Sequence, residues 1–253
     1  MHADLVVHDL NRVLGTLPFE PSPTPTAALL RADLSELGVA GCSAVLSGQL
    51  YGDPAGGGGD ATWPALVAGL GPQETKPRVV PVPVVVPAAG GWPGDPAELM
   101  SGGVRLVRAC PTRHRWDVDS PAAGRWWETL AEAGCAVCVE VEEVGFGGLR
   151  AWARSFPSLR LVALNPGYRE LRRCAELLEV TENVVVETGS LNVAGGVEWL
   201  AAEAGAGRLA YGSGGPVRDD AGSVWLLRHL ELPREQVDRI AHGTAYEIVG
   251  ADA

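Results

Sequence analysis

The chain is poor in aromatic residues and contains no long uninterrupted apolar run. Only 6% of its 253 residues are aromatic, although hydrophobic residues reach 46% in total, which is enough to bury a sizeable core. No stretch approaches the roughly 20 consecutive apolar residues that a helix needs to cross a bilayer. The chain also does not open on a basic segment followed by a long apolar one. We therefore expect a soluble, unexported protein.

Basic residues are also scarce. Lysine and arginine total 20 against 31 aspartate and glutamate, so the formal net charge is −11 at pH 7. Such a balance repels phosphate backbones and anionic lipid surfaces. We expect neither a nucleic-acid nor a membrane partner, and instead a small-molecule substrate or ligand.

Cysteines are few and scattered. The five of them form an odd set, as expected of reduced thiols, which indicates a cytoplasmic protein. Cys135 and Cys138 have the spacing of a redox or zinc motif, but they fall in an apolar strand, where positions three apart point to opposite faces. No second pair with this spacing exists, so neither metal binding nor redox chemistry is predicted there.

The chain lacks a dinucleotide-binding glycine fingerprint in its first turn, which argues against a doubly wound sheet. What it has is an alternation of about eight short β-branched apolar runs with amphipathic segments at helical spacing. The predicted strands cover residues 5–11, 41–47, 79–87, 104–110, 136–142, 161–165, 184–187 and 209–213. The predicted helices include a first one from Thr26 and others at residues 125–133, 148–156, 169–178, 197–204, 223–230 and 233–249.

Nearly continuous apolar strands that alternate with helices predict a parallel sheet covered by helices. About eight such units predict an α/β fold with a single (β/α)₈ TIM barrel that spans residues 1–253. We expect two elaborations, a glycine-rich loop at residues 48–62 and the helix at 233–249 that closes the chain. In such barrels the site is built at the C-terminal ends of the strands.

Several segments resemble the amidohydrolase superfamily, in the branch of small amidohydrolase-related barrels that includes decarboxylases. Residues 9–15 (Asp-Leu-Asn-Arg-Val-Leu-Gly) resemble the family's opening Asp-x-His-x-His-x-Gly, and residues 211–216 (Tyr-Gly-Ser-Gly-Gly-Pro) resemble its Gly-Ser-Asp-x-Pro signature after strand 8. Further similar segments lie at residues 134–140, 161–167, 183–188 and 235–249. The resemblance extends over almost the whole chain and implies the barrel fold.

The resemblance also implies a divalent metal held by two histidines of the first strand, later histidines and an aspartate after strand 8. The corresponding residues here are Asn11, Val13, Glu140, Asn165 and Gly214. Of these only Glu140 is a good ligand, because Val13 and Gly214 have no donor side chain and amide oxygens are weak. We expect no metal and no other cofactor. Ordinary metal-assisted hydrolysis is not predicted, since in the family the lost aspartate also takes the proton of the attacking water.

Charged residues nevertheless fall at the predicted C-terminal ends of the strands. Arg108 lies in the fourth strand, Glu187 ends the seventh, and Glu140 and Glu142 are predicted to share a face of the fifth. In a metal-free mechanism Arg108 neutralises a carboxylate or oxyanion, Glu140 is the general base and His114 the general acid. Alternatively, Arg108, Glu140 and Glu187 form a buried charge network that replaces the metal.

A second group of polar residues is predicted to bind the substrate. Asn11 is predicted to share a face of the first strand with Asp9, and Arg113 and His114 follow the fourth strand next to Trp116, a combination suited to an anionic or aromatic ligand. Ser213 lies in a glycine-rich turn whose backbone amides would suit a phosphate. The candidate catalytic set is Arg108, His114, Glu140 and Glu187, and the candidate binding set is Asn11, Arg113, Asn165 and Ser213.

Three functions remain open on this basis. The first is metal-independent hydrolysis, decarboxylation or cyclisation of a small carboxylated or carbonyl-bearing molecule. The second is a non-catalytic pseudoenzyme that binds a small ligand or a partner protein, and the third is a metal hydrolase with atypical ligands such as His114, Glu140 and Glu142. Trp126 and Trp127 are adjacent on a helix, so they are not expected both to face inward, which leaves one ring for a homo-oligomer contact or an exposed rim.

Overall fold

The strands form at or near the β-branched runs that predicted them, although the first begins and ends three residues later than expected, at His8 and Leu14. The computed structural model describes residues 1–2, 4–21, 23–24, 26–54, 68–70 and 75–250, so most of the predicted glycine-rich loop lies outside the described residues. The first part of that loop was predicted wrongly, because Ser47–Tyr51 is a short helix. The strands are β1 His8–Leu14, β2 Gly41–Leu46, β3 Arg78–Val82, β4 Val84–Val85, β5 Leu106–Ala109, β6 Ala136–Glu140, β7 Leu161–Leu164, β8 Val184–Glu187 and β9 Leu209–Ala210.

Backbone hydrogen bonds join these strands into a closed ring. All pairs are parallel, in one sheet of order β1-β2-β3 and a second that runs from β4 to β9. The sheets are continuous at Pro83, between β3 and β4, whose carbonyl accepts a bond from the Arg108 amide (2.8 Å). At the other edge the Leu10 amide donates to Tyr211 (3.0 Å). The ring is thus an eight-stranded barrel in which β3 and β4 form one interrupted strand, as expected of a strand that carries two prolines.

Helices follow the strands and cover the outside of the barrel. They are α1 Ala27–Glu36, α2 Ser47–Tyr51, α3 Pro96–Ser101, α4 Pro121–Glu132, α5 Val141–Ser155, α6 Leu171–Glu179, α7 Gly196–Ala204, α8 Asp220–Arg228, α9 Arg234–Asp238 and α10 Thr244–Val249, with a π-helical turn Arg239–Gly243 between the last two. The Thr26 side chain caps α1 by accepting from the Leu29 amide. In the described part of the chain no helix has the length and apolarity to cross a membrane.

Apolar side chains fill two layers. The larger layer lies between helices and strands and includes Cys135, whereas Cys138 lies in a second cluster inside the barrel. The two thiols therefore sit in different layers, and all five cysteines are free. Ile248 and Val249 of α10 belong to the inner cluster together with Leu106 at the start of β5, so the C-terminal helix closes the barrel at the N-terminal ends of its strands.

A bulge in β1 sends neighbouring side chains to faces that simple alternation does not predict. The register with β2 shifts between Asp9 and Arg12. Asp9 is paired with Cys42, whose side chain belongs to the helix-facing layer, whereas Asn11 contacts Glu187 inside the barrel. The prediction that Asp9 and Asn11 share a face is therefore wrong, because a bulge adds one residue to the strand and reverses the alternation beyond it.

Two further predictions about faces are also wrong. Glu142 does not share a strand face with Glu140, because β6 ends at Glu140 and Glu142 lies exposed in the first turn of α5. Trp126 and Trp127 are both buried, at 7% and 0% exposure. Both rings pack in the helix-facing layer, so neither marks an oligomer contact. Among the tryptophans that the structure describes, the exposed ones are Trp199 and Trp225.

Trp127 is the centre of the helix-facing layer around α4 and α5. Its ring lies between those of Trp116 and Trp152, with centroids at 6.0 and 4.6 Å, and its indole N–H donates to the Val118 carbonyl at 2.8 Å. We expect Trp127→Ala to lower the free energy of unfolding by about 3–5 kcal/mol, because it leaves a large cavity.

Urea denaturation followed by circular dichroism measures this loss. The matched control is Trp225→Ala, since Trp225 is 61% exposed and a surface change should stay within about 0.5 kcal/mol. Equal effects of the two substitutions would contradict the central place of Trp127 in the core.

Candidate functional site

Four of the five residues at the expected metal positions surround one point at the C-terminal ends of the strands. Asn11 points inward from β1, Glu140 is the last residue of β6, and Asn165 directly follows β7. The Gly214 amide, beyond β9, donates to the Asn11 carbonyl (2.9 Å). Val13, the fifth, packs in an apolar cluster with Val45, Leu50 and Cys110. The structure thus places the candidate site at the end of the barrel where the sequence predicted it.

Arg108 provides the positive charge of this site. Its side chain, only 3% exposed, donates to Glu140 Oε1 and, at 3.2 Å, to Asn11 Oδ1. Burial is the largest single influence and acts to lower the Arg108 pKa, but the Glu140 carboxylate together with the neighbouring Cys110 and Cys138 raises it, and the net pKa lies above its ordinary value. Arg108 is therefore a permanent cation whose charge Glu140 neutralises.

Glu187 is a second carboxyl group on the same network, and it is fully buried. Its Oε1 accepts from Asn11 Nδ2 at 3.1 Å, and its Oε2 accepts from the backbone N–H of Asn165. Burial raises the pKa of Glu187 from 4.5 to about 7, even though these two hydrogen bonds and the charge of Arg108 act to lower it. Near neutral pH this carboxyl group is present in both protonation states, as general acid/base catalysis requires.

Close packing around Glu187 explains why glycines follow strand β9. A Cβ atom on Gly212 would lie 2.7 Å from Glu187 Oε1. A Cβ atom on Gly214, which has φ of +75°, would lie 2.9 Å from Asn165 Oδ1. That amide oxygen is buried and has no hydrogen-bond partner among the described residues. Gly214, at the position of the family's aspartate, therefore lies next to Asn165, at the position of one of its histidines. Together the two residues offer a single unpaired side-chain oxygen, Asn165 Oδ1.

The residues present do not fit the divalent metal that the family resemblance implies. Arg108 already donates to Asn11 and Glu140, and a cation there opposes a second one. Over the described residues, no three His, Cys, Asp or Glu side chains lie together so that they could hold a metal ion. The alternative ligand set of His114, Glu140 and Glu142 is therefore wrong, since Glu142 is on the exposed face of α5.

A separate charge network holds the outer side of β1, and sequence reasoning did not identify its central residue, Arg12. Arg12 is fully buried and pairs with Asp33 of α1 and, at 2.5 Å, with Asp220 of α8. It also lies 3.7 Å from Asp9, whose pKa is raised by burial. The sequence offered no signal for this role, because Arg12 falls within the first-strand motif and its partners lie far along the chain.

Ser213 belongs to this outer network and not to the group around Arg108. Its hydroxyl donates to Asp9 Oδ2 at 2.6 Å, and its amide donates to Asp9 Oδ1 at 2.9 Å. The amides of Gly214 and Gly215 donate to the Asn11 carbonyl and to Ser213 Oγ. Three N–H groups of the turn therefore already have acceptors, two of them in β1, so the hypothesis of a phosphate cradle is wrong.

The loop after β5 places Arg113 and His114 beside α2. Arg113 stacks over the Tyr51 ring at 5.1 Å and pairs with Glu143 at 3.7 Å. Burial, followed by the charge of Arg113, lowers the pKa of His114 and so favours its neutral imidazole. In the described part of the chain, no hydrogen bond or ion pair joins either residue to Arg108 or Glu140.

Comparison with known proteins agrees with the barrel. A family model described as Amidohydrolase matches residues 75–251, while no curated protein matches the chain. Among solved structures, 5-carboxyvanillate decarboxylase from Sphingomonas paucimobilis superposes with a TM-score of 0.68 at 13% identity and covers 98% of this chain and 100% of that one.

Two other solved structures are similar to a comparable degree. An uncharacterized TIM-barrel protein from Bordetella bronchiseptica has a TM-score of 0.71 at 14% identity, with coverage of 96% and 99%. A zinc-bound amidohydrolase from Burkholderia multivorans has a TM-score of 0.70 at 16% identity, with coverage of 98% and 100%. At such identities the structural likeness establishes the fold alone.

The raised pKa of Glu187 links the stability of the protein to pH. The folded state favours the protonated carboxyl group of Glu187. The contribution of this group to the free energy of unfolding is therefore fully present below pH 4.5 and is lost as the pH rises through about 7. Between low and high pH the unsubstituted protein should lose up to about 3 kcal/mol of its free energy of unfolding through Glu187. We expect Glu187→Gln, which mimics the protonated form, to remove this loss. Urea unfolding at pH 5 and pH 8 measures this difference.

The control for that experiment is Glu203→Gln, since Glu203 is exposed on α7. The control should follow the pH dependence of the unsubstituted protein. A Glu187→Gln variant with the same pH dependence as the control would show that Glu187 is ionised in the folded protein throughout this range.

The donor set also predicts the metal content. We expect purified protein grown with zinc, manganese and iron to hold far less than one equivalent of any of them by elemental analysis, because Arg108 holds two of the candidate donors. One equivalent of metal that disappears in Glu140→Gln would contradict this assignment.

Proposed function

The chain belongs to the amidohydrolase family, and from that premise we propose that it is an enzyme that converts a small carboxylated or carbonyl-bearing molecule by acid/base chemistry without a metal. The observation that carries the proposal is the convergence of one buried cation, Arg108, with two carboxyl groups, Glu140 and Glu187, at the C-terminal ends of three strands. In a TIM barrel this end of the strands is where catalytic residues lie.

Arg108 is proposed to bind the oxygen on which negative charge develops. Its guanidinium lies in a site of low dielectric, where a fixed cation stabilises an oxyanion more strongly than it does in water. In the structure this cation is paired with Glu140, whose side chain is 15% exposed, against 3% for that of Arg108. A substrate oxygen that replaces Glu140 on Arg108 would free that carboxylate next to the substrate, where it serves as the general base.

Glu187 is proposed to supply or receive the second proton. Its pKa of about 7 keeps a protonated fraction at neutral pH. Glu187 thus takes the role of general acid, which the sequence analysis assigned to His114. The neutral imidazole of His114 makes it a weaker proton donor than the imidazolium that this role needs. In a decarboxylation, the bond from carbon to the carboxylate breaks, CO₂ leaves, Arg108 stabilises charge on a conjugated oxygen, and protonated Glu187 supplies the proton to carbon.

A second candidate is a non-catalytic barrel, and the direct pairing of Arg108 with Glu140 favours it. In that case the network supplies the positive charge that a metal would otherwise provide. Buried ion pairs of this kind persist because removal of one partner leaves an uncompensated charge. The Asn11 side chain and the Asn165 backbone would then serve to hold Glu187 and not a substrate.

We also infer that the protein acts in the cytoplasm on a diffusible small molecule. Five free, buried thiols suit a reducing compartment, and the net charge of −11 disfavours nucleic acid and anionic membrane surfaces as partners.

Turnover of aromatic acids tests the proposed function. We expect the protein to release CO₂ or consume substrate with at least one member of a panel of hydroxylated benzoates, carbonyl-bearing acids and lactones. Glu187→Gln should lower kcat by about 10²–10⁴, the usual contribution of a general acid or base. Glu140→Gln should abolish turnover, since the amide is not a base. Arg108→Met should do the same, because it removes the charge that stabilises the oxyanion.

The matched control is Arg173→Met, which removes an exposed arginine from an ion pair with Glu170 and should leave turnover unchanged. Turnover that survives in Arg108→Met and Glu187→Gln would overturn the assigned roles. Carboxylate binding that depends on Arg108, without turnover of any panel member, would identify the protein as the non-catalytic alternative.

A further inference from the structure

Asp9 belongs to the outer charge network, yet its contacts reach the backbone of the candidate active site. Its side chain is 1% exposed. Asp9 Oδ1 accepts from the backbone N–H of Asn11 at 3.1 Å and from that of Ser213 at 2.9 Å, and Asp9 Oδ2 accepts from the Ser213 hydroxyl at 2.6 Å. One carboxylate therefore joins β1 to the turn that follows β9.

The hydrogen bond from Asn11 to Asp9 is part of the bulge in β1. The register with β2 shifts between Asp9 and Arg12, and Asn11 lies inside this shift. A bulge leaves a residue of the strand without its ladder partner, and a buried backbone N–H that lacks an acceptor costs free energy. Asp9 supplies an acceptor from two residues earlier in the chain, as the side chain of an Asx turn does. The bulge is therefore held by an aspartate side chain.

The backbone of Asn11 is fixed on both sides of its Cα atom, and its side chain reaches the candidate active site. Its N–H donates to Asp9, and its carbonyl accepts from the Gly214 amide at 2.9 Å. Inside the barrel, Asn11 Nδ2 donates to Glu187 at 3.1 Å and Asn11 Oδ1 accepts from Arg108 at 3.2 Å. The direction of this side chain therefore follows from how the bulge places its backbone.

Asp9 is itself fixed by the helices outside the barrel. Arg12, which is fully buried, lies 3.7 Å from Asp9 and pairs with Asp33 of α1 and Asp220 of α8. A guanidinium held by carboxylates from three elements of the fold has little freedom to move. The outer network therefore fixes the aspartate that holds the bulge.

We propose that Asp9 is a positioning residue: it holds the bulge of β1, and the bulge directs the Asn11 side chain onto Glu187 and Arg108. Asp9 acts through Asn11 and is not a catalytic residue. What positions Asn11 is the place of the Asp9 oxygen and not the charge of Asp9. The effect on turnover rests on the proposed function, whereas the effect on Asn11 does not.

Hydrogen exchange at the Asn11 side chain in the full chain tests the proposal. The sequence contains only four asparagines, so their side-chain amide signals in a ¹H–¹⁵N spectrum can be assigned from single substitutions. The measured quantity is the rate at which the Asn11 Nδ2 protons exchange with water. Asn183 is the internal reference, because its Nδ2 donates to backbone carbonyls that are not in β1, those of Ala153, Phe156 and Leu159.

Three substitutions of Asp9 separate the place of its oxygen from its charge. We expect Asp9→Ala, which removes the acceptor, to speed exchange at Asn11 about tenfold, as expected for the loss of one buried hydrogen bond, and to leave exchange at Asn183 unchanged. Asp9→Asn keeps an oxygen at the same place without the charge and should preserve slow exchange at Asn11. Asp9→Glu keeps the charge but moves the oxygens by one methylene group, and should behave as Asp9→Ala does.

The matched control is Asp33→Ala, which takes another carboxylate from Arg12 without removing an acceptor from the β1 backbone. It should leave exchange at Asn11 unchanged. If the proposed function also holds, Asp9→Ala and Asp9→Glu should lower kcat about 10²-fold, as expected when a catalytic group is displaced, and Asp9→Asn should recover most of it. Exchange rates that follow this order without any turnover would support the positioning role and contradict the proposed function.

Three outcomes would overturn the proposal. One is exchange at Asn11 that stays slow in Asp9→Ala. Another is exchange that follows the charge, fast in Asp9→Asn and slow in Asp9→Glu, and the third is an equal acceleration in Asp33→Ala. None of these bears on turnover, which Glu187→Gln tests separately. Circular dichroism checks that each variant is folded, and if Asp9→Ala is not, Asp9→Asn and Asp9→Glu decide the matter.

Discussion

The burial of one arginine inside the barrel is the constraint on which the rest of the site depends. A guanidinium that is 3% exposed cannot give up its proton, so the fold must supply its counter-charge and its hydrogen-bond acceptors. Glu140 provides the charge and Asn11 the neutral acceptor. Asn11 in turn orients Glu187, which accepts from its amide group. The protonation of Glu187 is thereby connected to the position of Arg108.

This arrangement accounts for the residues that stand at the expected metal positions. A metal and a buried guanidinium are alternative ways to place positive charge at the mouth of a barrel, and the presence of both would leave too few anionic partners. Asparagine at position 11 offers a side-chain amide that donates to Glu187 and accepts from Arg108. Glycine at position 214 leaves space beside the Asn165 oxygen. Two of the five residues, Asn11 and Glu140, thus bind Arg108 directly.

Sequence reasoning predicted the barrel because a buried parallel strand and an amphipathic helix each have a characteristic period. The start of α1 at Thr26 and the start of β6 at Ala136 follow directly from such patterns. Faces were predicted less well. The bulge in β1 moved Asn11 away from Asp9, and the helix that begins at Val141 removed Glu142 from the strand. Nothing in the sequence indicated the role of Arg12 in the outer charge network, because its partners Asp33 and Asp220 become neighbours only when α1 and α8 pack on β1.

The sequence by itself determined the alternation of strands and helices, the barrel that follows from it, and the identity of the residues at the mouth, because these depend on local periodicity and on motif order. Tertiary structure alone decided which of those residues meet. Arg108, Glu140 and Glu187 come from three different strands, and the pKa of about 7 for Glu187 exists only because folding removes water from its carboxyl group.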